Sequence, residues 1–229
     1  VGDLIDLLGK YDVLGAFFMT IKLTLGGAVG SLIIGTVVAI CRVSPVPVLR
    51  AIGTSYVTLI RNTPLTLIVF FCLFGLVNTL RLQFADPSSP TSLNDTTFRL
   101  GLLALSVYHA SFVAEALRSG INTVPPGQAE AARSIGLGFV PTLTSIVLPQ
   151  AFRGAVAPLG NTLIALTKNT TVVATIGVAE SAYVMRGMIE FDGSKLFLIF
   201  FIMAAGFVIL TLPLGILFTW MSRRLAVQR

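Results

Sequence analysis

Long apolar runs alternate with short polar stretches along this chain, and the pattern predicts helices rather than strands. Five runs are long enough to cross a bilayer core, which takes about 20 residues of helix. They extend from about Val13 to Cys41, Leu49 to Leu80, Phe98 to Leu117, Phe152 to Val178 and Leu196 to Met221. Breakers separate them: Arg42-Val43-Ser44-Pro45-Val46-Pro47 ends the first run, and Asp86-Pro87-Ser88-Ser89-Pro90 marks a loop inside the polar stretch 81–97. Lys168-Asn169-Thr170-Thr171 interrupts the fourth run, and Tyr183 to Lys195 reads as a further exposed stretch. Residues 118–150 stand apart, being too polar for a span yet longer and more ordered in composition than a slack connector. Within them Pro125-Pro126-Gly127 predicts a stiff turn and Gln128 to Leu137 a short helix, with the prolines near its first turn. Glu130 falls early in that helix, where its charge suits the positive end. Gly136 and Gly138 allow a tight bend, and the chain then returns through Pro141 and Pro149.

Composition strengthens the membrane reading. Hydrophobic residues make up 55% of the 229 and charged residues 11%, against about 25% charged in a soluble domain. The spans consume most of the chain, so residues 1–229 are expected to form a single all-α integral membrane domain. A net charge of +6 would suggest nucleic acid in a soluble protein; here it is read as the anchoring of helix ends. Basic residues dominate three regions: Arg42 and Arg50; Arg118, Arg133 and Arg153; and Arg223, Arg224 and Arg229. With five spans these regions share one side, and the positive-inside rule predicts an outside N-terminus, a cytoplasmic C-terminus and a cytoplasmic 118–150 loop. Asp3, Asp6, Asp12, Asp86, Asp95, Glu180, Glu190 and Asp192 then fall on the outer side, and Trp220 fits the inner interfacial belt. The acidic start differs from a cleaved leader, so the first run is expected to be retained.

Candidate chemistry is sparse. Cys41 and Cys72 suggest neither a disulfide nor a metal site, and the lone histidine, His109, excludes a multi-histidine centre. A phosphate loop ending in Lys-Ser/Thr is lacking, so no ATP hydrolysis, metal or cofactor is expected in this chain. Arg61 falls about 12 residues into the second run, near mid-membrane at about 1.5 Å per residue. A charge there must meet a polar cavity or a partner. Its guanidinium suits a substrate carboxylate, but structural pairing and snorkelling remain open. Lys168, beside Asn169 and Thr170, either opens a polar break towards a binding chamber or reaches an interface. Asn161 shares a helix face with Lys168. Glu115 and Arg118 are spaced for a structural pair, and Tyr108 and His109 either line a cavity or join helices. Gly26, Gly27, Gly30 and Gly35 either permit close helix packing or reflect glycine's frequency in membrane helices.

One spacing is more specific. Glu130-Ala131-Ala132, three residues, Gly136, nine residues, then Ile146-x-Leu148-Pro149 resembles the EAA loop of permease subunits of ATP-binding-cassette importers. Arg61-Asn62-Thr63-Pro64, the stretch Phe112 to Ile121 and Lys168-Asn169-Thr170-Thr171 are similar to the polar amino acid uptake subfamily. Ser119 to Val124 and Pro158 to Thr167 look closest to permeases of the actinobacterial glutamate uptake system. The resemblance runs from about Phe17 to Leu225. It implies the type I importer permease fold in a bacterial plasma membrane. It also implies a coupling helix seated on an ATPase subunit and alternating access driven from there. The implied partners are a second, similar permease (a heterodimer ahead of a homodimer), two cytoplasmic ATPase subunits that bind ATP and Mg, and an extracytoplasmic solute-binding protein. The alternatives are an ATP-independent secondary transporter or channel, which often shows internal repeats absent here, and a membrane scaffold, which buried Arg61 and Lys168 argue against.

Overall fold

The computed structural model describes residues 2–225. Every regular element is helical, in the order α1 Gly2–Lys10, α2 Val13–Val43, α3 Pro47–Arg61, α4 Leu65–Phe70, α5 Ser92–Ile121, α6 Pro126–Ser134, α7 Phe139–Pro141, α8 Leu148–Asn169, α9 Ser181–Phe191 and α10 Leu196–Leu225. Three helices are long and apolar enough to cross a membrane on their own: α2, α5 and the run Gly193–Leu225. Two bent pairs raise the number to five if each is one span: Pro47–Arg61 with Leu65–Thr79, bent by 103°, and Phe139–Ile176 with Ser181–Phe191, bent by 59°. The second apolar run is therefore broken after Arg61, and the other bend falls at 177–180, at the end of the fourth run and beyond the polar interruption at 168–171.

Local chemistry explains both breaks. Asn62 Nδ2 donates to the Thr58 carbonyl and Thr63 Oγ1 to the Leu59 carbonyl, ending α3. Pro64 disfavours helical backbone at Thr63 and starts α4 afresh. The following turns, Phe71–Thr79, widen into a π-helix. In the fourth run α8 tightens into a 3-10 segment, Thr170–Ile176, which ends at Gly177 with φ +89°. Glu180, counted above among the outer-side acids, is fully buried. It caps α9, accepting from the Ala182 and Tyr183 amides at 2.9 and 3.0 Å and from Ser181 Oγ at 2.9 Å. A buried carboxylate is tolerable only with such donors.

The core is built where α2 lies along α5, and α5 along α8. Ala16, Thr20, Thr24, Gly27, Ser31, Gly35 and Ala39 form a buried stripe of small residues on α2. At Gly35 an added Cβ would lie 2.7 Å from the Val113 side chain and 2.8 Å from the Ala110 carbonyl oxygen. The glycine-rich pattern of α2 therefore serves close packing. One apolar cluster joins Leu23, Val69, Leu100, Leu105 and Val173; another joins Ala39, Val57, Val113, Leu117 and Ala155. At the far end α1 is tied to the α9–α10 junction. Lys10 Nζ and Tyr11 Oη donate to Asp192 at 2.6 and 2.7 Å, and Lys195 Nζ reaches Asp6 at 2.7 Å. The bond from Lys10, and then that from Tyr11, holds the Asp192 carboxyl below its ordinary range. By contrast α10 keeps most of its apolar surface exposed, with Phe197, Ile209 and Ile216 each at least 63% accessible.

Candidate functional site

The break after Arg61 decides where its charge sits. A cavity of about 320 Å³ opens there, lined by Arg42, Val57, Thr58, Arg61, Asn62, Phe112 and Glu115. Glu115 accepts from Arg42 Nη1 at 2.5 Å and from Arg118 Nη2 at 3.1 Å. Arg61 Nη1 lies 3.9 Å from the same carboxylate, and its guanidinium stands 5.4 Å from the centre of the Phe112 ring. Three guanidinium groups thus share one carboxylate, and the cavity carries net positive charge. Arg42 is largely buried, whereas the Arg61 side chain is 44% exposed and is the most loosely held of the three. The expected Glu115–Arg118 pair is present, but Arg42 binds Glu115 more closely, and nothing in the sequence links positions so far apart. Glu115 precedes the end of α5 by six residues, roughly 9 Å of helix. Arg61, the last residue of α3, therefore lies near the Arg42 and Arg118 ends of α2 and α5.

A second cavity, about 200 Å³, also borders Phe112 and is lined by His109, Phe112, Asn161, Thr162, Ala165 and Asn169. His109 Nε2 and Asn169 Nδ2 are 3.2 Å apart. His109 is 1% exposed and its Nδ1 has no hydrogen-bond partner among the described residues. Asn161 is exposed on α8. The structure thus brings Asn161 and Asn169 together and adds His109 and Phe112, which the sequence left undecided or unmarked. Lys168 and Thr170 are not part of this group. Lys168 is exposed and lines neither cavity; Thr170 is fully buried and donates to the Thr167 carbonyl at 2.8 Å. The polar quartet tightens the helix instead of opening it.

The polar connection resolves into a small scaffold. Residues 118–121 belong to α5, and helical backbone resumes at Phe139 after α6. α6 starts with proline at its first turn, as predicted, but stops at Ser134, three residues before Leu137. The stop is a Schellman motif: the Gly136 amide bonds to the Arg133 carbonyl at 3.0 Å and the Leu137 amide to the Ala132 carbonyl at 3.1 Å. Gly136 sits at φ +88° with open space around it, so its requirement is conformational and not steric. Ala132 is buried, while α6 packs on the π-helical turn Thr142–Val147; Ile146 and Leu148 are half-buried. Glu130, Ala131 and Pro149 are exposed, and next to them Ile135 is 79% exposed and Val140 63%. The spaced motif therefore divides into residues that hold α6 in place and residues that face outward.

Residues 31–227 match the family described as the binding-protein-dependent transport system inner membrane component. This chain belongs to that family. It is a non-catalytic, multi-pass permease subunit of an ATP-binding-cassette importer in the bacterial plasma membrane. The glutamate transport system permease protein GluC of Corynebacterium glutamicum is 54% identical over 218 residues, covering 95% of this chain and 96% of the relative. A solved amino acid ABC transporter with histidines superposes with a TM-score of 0.77 at 27% identity, covering 93% of each chain. An inward-facing MetNI methionine transporter superposes at TM-score 0.69 and 18% identity, covering 99% of this chain and all of that one, which shows the shared fold.

Proposed function

We propose that this permease carries a polar amino acid, glutamate first among them, through a five-span type I importer fold. The observation that carries the substrate is the 54% identity, over nearly the whole of both chains, to a glutamate permease. The cationic cavity supports it: an excess of guanidinium over carboxylate beside an exposed Arg61 favours an anionic solute. Arg61 takes a substrate carboxylate, with Asn161 and Asn169 further along the path. Thr170, whose hydroxyl bonds back to the Thr167 carbonyl, closes the end of α8, and the exposed Lys168 adds positive charge there.

In this reading the bent pairs are each one span, the N-terminus is outside and the C-terminus cytoplasmic. Grouping of Arg42 and Arg118 at one pole, and of α1 with the α9–α10 junction at the other, supports that alternation. The segment 118–150 then faces the cytoplasm within a single domain spanning 1–229. α6 is the coupling helix, with Glu130, Ala131 and the outward apolar residues seated on one of two ATPase subunits. Ala132, Gly136, Ile146 and Leu148 fix its position, and Pro149 completes the outward-facing part of the motif. ATP and Mg bind those subunits, a solute-binding protein delivers the amino acid, and a second, similar permease completes the path as a heterodimer. Closure of the ATPases shifts both permeases between two packed states.

Co-purification from the native membrane, followed by uptake into vesicles, tests this. Uptake of labelled glutamate that needs ATP and the binding protein, and that glutamate competes more strongly than glutamine, is the expected result. ATP-independent uptake, or uptake indifferent to both competitors, would sink it.

A further inference from the structure

A groove of about 590 Å³ runs along the exposed flank of α10, apart from the two cavities described above. Two rows of residues, each spaced by four, build it. Val208, Leu212, Ile216 and Trp220 form a ridge and are each more than half exposed. Thr211, Gly215 and Thr219 form a lower row beside it. A Cβ added at Gly215 would lie 3.7 Å from Ile164 Cδ1, so this row faces α8. The Thr211 and Thr219 hydroxyls donate back to the Phe207 and Gly215 carbonyls at 2.8 and 2.7 Å, which leaves the floor without a free hydroxyl proton. From Val208 to Trp220 the ridge is roughly 18 Å long at about 1.5 Å per residue. That is a little over half of a hydrocarbon core of about 30 Å, the depth of one leaflet.

Only one end of the groove is charged. Arg223 lines it there, and the Arg224 guanidinium stands 4.9 Å from the centre of the Trp220 ring. Both arginines are exposed, and neither forms an ion pair among the described residues. Residues 148–179 and 196–229 contain no aspartate or glutamate. Gly160 packs on Phe218 while Ile164 lies by Gly215, so α8 and α10 are antiparallel. Arg153, near the start of α8, therefore adds its charge at the same end.

We infer that the α8–α10 groove is a binding site for an anionic phospholipid, with an acyl chain along the ridge and its phosphate at Arg223. The apolar walls and bonded-back hydroxyls offer nothing to a polar solute, whereas an acyl chain enters without desolvating any polar group. Guanidinium groups with no carboxylate beside them favour a phosphodiester, which they bind through charge-assisted hydrogen bonds. Trp220 belongs at the level of the headgroups, so the cationic end meets the phosphates and the apolar part reaches into the leaflet. Basic pockets between spanning helices recognise anionic lipid in this way. The row of small residues would also admit a helix of the second permease, but the uncompensated arginines at its end favour the lipid. Such a site stands whichever amino acid is carried. Under the orientation proposed above, the lipid comes from the cytoplasmic leaflet.

The test uses the assembled permease–ATPase complex in detergent with a trace of phosphatidylglycerol that carries a photoreactive group on one acyl chain. Labelled peptides are mapped by mass spectrometry. Label should fall on the 208–223 segment and on the peptide containing Ile164. Unlabelled phosphatidylglycerol should compete for it more strongly than phosphatidylcholine with the same chains, by roughly fivefold for each arginine engaged. Arg223→Gln should narrow that preference about fivefold, and Arg81→Gln, outside α8 and α10, should leave it unchanged. Gly215→Leu, which fills the lower row, should reduce labelling of the groove while the complex stays assembled. Equal competition by the two lipids, or a preference that survives Arg223→Gln, would overturn the site. Absence of label from the groove would overturn it too, and a crosslink from Ile216→Cys to the second permease would then assign the groove to that subunit.

Discussion

At the residue scale, the decisive contacts join charges that the sequence holds far apart. Arg42 and Glu115 are 73 positions from one another and meet at 2.5 Å. Glu115 balances a largely buried guanidinium, so its loss leaves charge without compensation. Glu115→Gln should lower the stability of the purified complex by roughly 1–3 kcal/mol, less than a fully buried pair would lose because Arg61 and Arg118 stay partly solvated. Thermal unfolding of variant and wild type in the same detergent checks this, and an unchanged midpoint would show that Arg42 finds its compensation elsewhere. Sequence reasoning found the Glu115–Arg118 pair because a spacing of three places both on one helix face. It had no signal for Arg42, whose position at the end of an apolar run reads equally well as an interfacial anchor.

At the element scale, the stripe of small residues on α2 decides how closely α5 can approach. Gly35 is the tightest point in that contact to involve a backbone atom of α5, the Ala110 carbonyl oxygen. Gly35→Val should push the helices apart and cost about 1–3 kcal/mol or more through overpacking. Gly2→Val, at a position with nothing near it, is the matched control. Yield of assembled complex and its thermal midpoint are the readouts; a Gly35→Val complex as stable as the control would mean that α2 and α5 slide to accommodate the change. The helices themselves were legible in the apolar pattern, but the break after Arg61 escaped it, and the interruption marked at 168–171 lies short of the bend at 177–180. Hydropathy averages over a window, whereas the break at Asn62-Thr63-Pro64 comes from two side chains bonding back onto the helix and one proline. Charge counting used Glu180 only as an outer-side acid, because its role as a buried cap is not legible until its amide donors are seen.

At the scale of the whole molecule, one end is a scaffold for α6 and the other a clamp between α1 and the α9–α10 junction. The outward apolar residues beside α6 are the surface that the coupling reading offers to an ATPase subunit. Ile135, 79% exposed, touches little of its own chain, so Ile135→Asp should leave the permease folded yet reduce ATPase co-purification about tenfold or more, as burial of one side chain at an interface is worth about 1.5–3 kcal/mol. Undiminished co-purification would place the ATPase contact on another surface.

Hydropathy, charge asymmetry and one spaced motif were enough for the sequence alone to determine a helical membrane class, a family and the place of α6. Those signals are local or periodic, set by burial in lipid and by a backbone position that wants glycine, and each survives in a linear reading. Only the tertiary structure decided that Arg61 shares Glu115 with Arg42, that His109 joins Asn161 and Asn169, and that Phe112 borders both groups. A side chain's electrostatic neighbours come from helices that cross in space, and a bend of 103° moves a charge from mid-span to a helix end. Hydropathy averaged along a window does not resolve that angle.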